Sequence, residues 1–132
     1  GTIEEVARNY DVEGIELDFL RHYPYFRESH EMLPVDDEHV QMMTGLMRRI
    51  RSLADDVSAQ RGRPLLVAVR TPYTVDYARF IGLDLQEYVV PLAVECVKRC
   101  DIGNFHFGSR SCPVVRLGGT VCERPHGRIG VF

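Results

Sequence analysis

Hydrophobic and polar positions follow two different periods along the first 95 residues, and each change of period marks an element. Thr2-Ile3-Glu4-Glu5 has the form of a capping box, and Ile3, Val6, Ala7 and Tyr10 then supply one apolar helical face. Gly14 reads as the end of that unit. From there Ile15, Leu17 and Phe19 alternate with Glu16 and Asp18, the two-residue period of a strand over about 14–20. Residues 21–35 carry Pro24 and Pro34 without periodicity, so a long loop is expected. Asp36-Asp37-Glu38 puts negative charge where a helix dipole favours it. Val40, Met43, Met47, Ile50, Ala54 and Val57 then recur at spacings of three and four, predicting an amphipathic helix that stops at Gly62.

Leu65-Leu66-Val67-Ala68-Val69 is a short apolar run ending at Arg70, the pattern of a parallel strand covered on both faces. Thr71-Pro72-Tyr73 is expected to break it. A short helix over 75–81 follows, and Asp84-Leu85-Gln86-Glu87 reads as a further cap and turn. Two strands joined by a long helix form a right-handed β-α-β crossover, so the predicted class is α/β.

Composition sharpens this picture. The 132 residues are 45% hydrophobic and 27% charged, as expected of one globular domain. A net charge of −3 gives no electrostatic reason to bind nucleic acid or an anionic membrane, and no apolar run is long enough to span a bilayer. No secretory signal is visible, but a chain that begins at Gly1 reads as a processed product or an excerpt, so targeting is open. The average charge hides a division. Residues 1–95 carry 17 acidic against 10 basic side chains, whereas 96–132 carry 2 against 6. The second stretch also holds all four cysteines and six of the 11 glycines. The chain therefore divides into a periodic body, about 1–90, and a Cys-, Gly- and Arg-rich tail, 91–132. The tail is either a divergent or out-of-frame continuation or a short β-rich cap with Ser111-Cys112-Pro113-Val114-Val115 as a strand.

In parallel α/β folds functional groups collect at the carboxyl ends of strands. That rule selects Asp18 through Phe26 and Arg70 through Tyr73. Glu16 and Asp18 share a strand face, with Asp18 nearer the rim, and a carboxylate removed from water needs a partner. Arg21, His22 and Arg70 are available. A structural ion pair at the strand ends is one outcome. The loop Arg21-His22-Tyr23-Pro24-Tyr25-Phe26-Arg27 is dense in rings and cations. Its aromatics either form a stacking platform for sugar rings or bury themselves against the rim.

The segment Gly14-Ile15-Glu16-Leu17-Asp18-Phe19-Leu20-Arg21-His22-Tyr23-Pro24 resembles the fourth-strand segment of glycoside-hydrolase-like TIM barrels. The similarity is greatest to the glycosyl-hydrolase-like-10 group, with its D-G-I-H-L-D-Y-x-R-Y-P pattern. Glu16 stands where that pattern often has His, and His22 is an extra residue before Tyr23-Pro24. The resemblance spans about residues 1–90. It implies a partial (β/α)8 barrel with parallel strands at about 14–20 and 65–70, acting on polysaccharide or glycan, with Asp18 as the active-site carboxylate. Arg21, His22, Tyr23, Tyr25 and Arg70 are then the substrate-binding candidates, and Glu16 is a secondary one.

Glycosidic cleavage develops positive charge on the sugar, which one carboxylate stabilises or attacks while a second acid protonates the leaving oxygen. A complete eight-fold barrel takes roughly 250 residues. The chain alone is therefore expected to lack the second acid and to be inactive, its partners being carbohydrate and the remainder of the barrel. Two other readings stand beside this one: a non-catalytic carbohydrate-binding or scaffold barrel, and a metal-dependent barrel hydrolase using Asp18 as ligand. No cofactor is implied. Cys96-x-x-x-Cys100 would put two thiols on one face of a helix, but Cys112 and Cys122 lack zinc spacing. His22, His30 and His39 form no ligand cluster, and Met42, Met43 and Met47 read as core.

Overall fold

The computed structural model describes residues 1–20, 24–72 and 74–89, with the backbone of three further strands at 96–100, 114–115 and 129–131. The order is α1 (Thr2–Asn9), β1 (Gly14–Asp18), α2 (Arg27–His30), α3 (Asp37–Arg61), β2 (Leu66–Pro72), α4 (Val75–Phe80), α5 (Leu85–Val89), β3 (Cys96–Cys100), β4 (Val114–Val115) and β5 (Ile129–Val131). The class is α/β. The strands form one sheet in the order β4-β3-β2-β1-β5. β1 runs parallel to β2 and β5, β2 runs parallel to β3, and β4 is antiparallel to β3.

The long helix follows its sequence pattern closely. Val40, Met43, Met47, Ile50, Ala54 and Val57 are all buried, along with Thr44. Burying a large aliphatic side chain is worth about 1.5–3 kcal/mol, so this stripe anchors α3 to the sheet. Asp36 caps the helix by accepting the His39 N–H at 2.9 Å. Gly62 ends it in the left-handed conformation, at φ 67°. Helices α1, α3, α4 and α5 share one core with Ile15, Leu17, Val67 and Val69 of the two central strands. Because paired residues of neighbouring strands point to the same side, Glu16, Asp18, Ala68 and Arg70 lie on the opposite face.

Several local expectations are corrected. Thr2 does not cap α1: it is already helical, Gly1 is the N-cap, and the Glu5 N–H bonds to the Gly1 carbonyl at 3.0 Å. Gly14 opens β1 rather than closing the helix. A methyl group there would sit 2.9 Å from the Leu66 carbonyl oxygen, so the close approach of β2 selects glycine. β1 stops at Asp18, two residues short of the expected 20, because the Asp18 carboxylate turns back to accept the Leu20 N–H at 3.0 Å.

The loop over 21–35 contains a single helical turn, α2, with Ser29 Oγ donating to the Phe26 carbonyl. β2 runs on through Thr71 and Pro72 rather than breaking there. These two residues pair only with β3, beyond the end of β1, so no ladder partner on the β1 side needs the N–H that proline lacks. Helix α4 is capped by Thr74, which accepts the Tyr77 N–H at 3.2 Å. The expected cap at Asp84 is present, accepting the Glu87 N–H at 3.1 Å.

Cys96 and Cys100 lie on a strand, not a helix. Four residues of extended chain separate their Cα atoms by about 13 Å. That exceeds the Cα separation that a disulfide spans. Val114 and Val115 do form a strand, within the expected stretch from Ser111. Apart from β5, the rest of the tail, including Cys112 and Cys122, lies outside the described residues.

Candidate functional site

Asp18, the last residue of β1, stands in register beside Arg70, two residues before the carboxyl end of the parallel β2. Arg70 Nη1 donates to Asp18 Oδ2 at 3.0 Å, and the Leu20 N–H donates to Oδ1 at 3.0 Å. Both carboxylate oxygens therefore already hold a donor. Only 9% of the Asp18 side chain is exposed, against 28% for Arg70. Arg70 is one of the three Asp18 partners that the sequence offered. Glu16 lies two residues deeper on the same face, and its residue is 8% exposed. It does not share the rim with Asp18.

The described aromatics of the following loop turn inward. The Tyr25 ring meets Phe19 edge-on, with centroids 5.8 Å apart and planes at 89°, and its hydroxyl is buried. Burial first, and then the negative charge of Asp18, push the Tyr25 phenol well above its ordinary value. Phe26 packs on the His39 ring, with centroids 4.5 Å apart. Of the two outcomes open to this loop, Tyr25 and Phe26 follow the one in which rings support the rim. Arg21, His22, Tyr23 and Tyr73 lie outside the described residues.

A second set of polar groups escaped sequence reasoning. Tyr88 on α5 and Thr44 on α3 are fully buried, and their hydroxyls have no hydrogen bond of ordinary geometry. Burial and then the nearby Asp84 raise the Tyr88 phenol, which also feels Tyr25. The only sequence signal was Thr44 interrupting an apolar stripe, and it names no partner. Among the described residues no group of three or more His, Cys, Asp or Glu side chains converges to hold a metal ion. The reading of Asp18 as a metal ligand has no ligand set there. No described helix is long and apolar enough to cross a membrane.

The arrangement can present one carboxylate, fixed in orientation by a cation and a backbone amide, at the end of a parallel strand pair. No protein-family model matches the chain, and no curated protein matches it.

Proposed function

We propose that this chain is part of a glycoside-hydrolase-like (β/α) barrel acting on polysaccharide or glycan, with Asp18 as its strand-end carboxylate. The observation that carries the reading is the Asp18–Arg70 pair near the carboxyl ends of neighbouring parallel strands, where barrels keep their functional groups. The strand order supports it as well. β1, β2 and β3 are successive parallel neighbours and the described helices share a core on one side of the central strands, as in a singly wound barrel, whereas the antiparallel β4 at the sheet edge departs from one. Arg70 and the Leu20 amide orient Asp18 as a hydrogen-bond acceptor, suited to facing positive charge on a sugar. The proton donor in this reading stands on another strand, so the chain by itself binds glycan without cleaving it.

A second reading is a scaffold barrel in which the same pair only ties two strands together. It is favoured by the small exposure of Asp18 and by the donors on both of its oxygens. Affinity electrophoresis of the purified chain and of Asp18→Asn through a panel of polysaccharides, with reducing-sugar assays alongside, separates the two. Retardation by one polysaccharide that Asp18→Asn weakens supports the glycan reading. Retardation by none favours the scaffold. Sugar release lost in Asp18→Asn would overturn the statement that the chain alone is inactive.

A further inference from the structure

We draw no further inference here: the strongest candidate, the cluster of buried hydroxyls of Tyr25, Thr44 and Tyr88 where the loop after β1 meets α3 and α5, carries nothing because no described contact shows what would bind there.

Discussion

The guanidinium of Arg70 meets the Asp18 carboxylate at 3.0 Å from the register position directly across the sheet. The pair joins two strands that are 52 residues apart in sequence, so its contribution depends on the sheet being formed. Removing one member strands the other in a setting mostly closed to water. Arg70→Ala is expected to destabilise the chain by about 1–3 kcal/mol, below the range for a fully buried pair because the arginine retains some solvent access. Arg70 has further interactions, so a double-mutant cycle with Asp18→Asn in urea isolates the pairwise part. A coupling indistinguishable from zero would mean that the two groups are neighbours without being partners.

Two glycines should respond in opposite directions to alanine. At Gly14 the added methyl meets the backbone of β2 at 2.9 Å, which no side-chain rotation relieves. Gly14→Ala is expected to lose roughly 1–3 kcal/mol, as other overpacked sites do. Gly45, inside α3, has only the end of the flexible Arg49 side chain near its added methyl, at 3.9 Å. There the gain in helix propensity is unopposed, and Gly45→Ala should stabilise by about 0.5–1 kcal/mol. Thermal melts of the two variants test the geometry, and a shared sign would refute it.

The same contrast shows what was legible in the sequence. The α3 stripe was plain, because a 25-residue helix repeats its period often enough to exclude alternatives. The pairing of Asp18 with Arg70 was visible only as a possibility, since Arg21 and His22 offered equivalent chemistry nearer in sequence. Register brings Arg70 to Asp18, and register is a property of two strands at once. Pro72 stays within β2 for a related reason: no β1 residue stands where its missing N–H would have been used. The inward turn of Tyr25 had no local sign, because the same tyrosine suits a stacking surface or a rim packed on Phe19.

Met32 lies in the left-handed region at φ 58°, with 71% of its surface exposed. It follows α2, and the Leu33 N–H bonds to the Glu28 carbonyl at 2.8 Å in the manner of a Schellman cap. Glycine normally fills that position, because a Cβ costs roughly 1–2 kcal/mol there. Met32→Gly is expected to raise stability by up to about 1 kcal/mol, the added freedom of the unfolded chain offsetting part of the relief. A measured loss would place the methionine side chain in a supporting contact.

Asp36 gives the chain an acid-sensitive helix start. The amide of His39, and then its ring, hold the Asp36 carboxyl below its ordinary value of 3.8. A carboxyl lowered on folding contributes stability that is fully present above the unfolded value and is lost as pH falls through the folded one. Asp36→Asn can still accept the His39 amide but cannot titrate. The difference in melting temperature between wild type and Asp36→Asn should therefore shrink as pH falls below about 4. A difference that persists unchanged to pH 2 would assign it to shape rather than charge.

Arg61 closes the structure at the end opposite the Asp18–Arg70 rim. From the last turn of α3 its guanidinium donates to the carbonyls of Ala7, Tyr10 and Val12, at 2.7 Å for Tyr10 and 3.2 Å for Val12. Ala7 is in the last turn of α1, which ends at Asn9, while Tyr10 and Val12 lie in the connection to β1, where the Tyr10 carbonyl also accepts the Val12 N–H at 3.0 Å. A cation also suits the negative end of α1. Charge-assisted hydrogen bonds are worth about 1.5–3 kcal/mol each, although three on one group do not add fully. Arg61→Ala is therefore expected to destabilise by roughly 2–4 kcal/mol, with amide exchange over 2–12 rising more than exchange in α3. Arg61→Lys keeps the charge but cannot present a planar fork to three acceptors, so it should recover less than half of the loss. Full recovery by lysine would show that charge near the helix end, rather than the shared guanidinium, holds α1 in place.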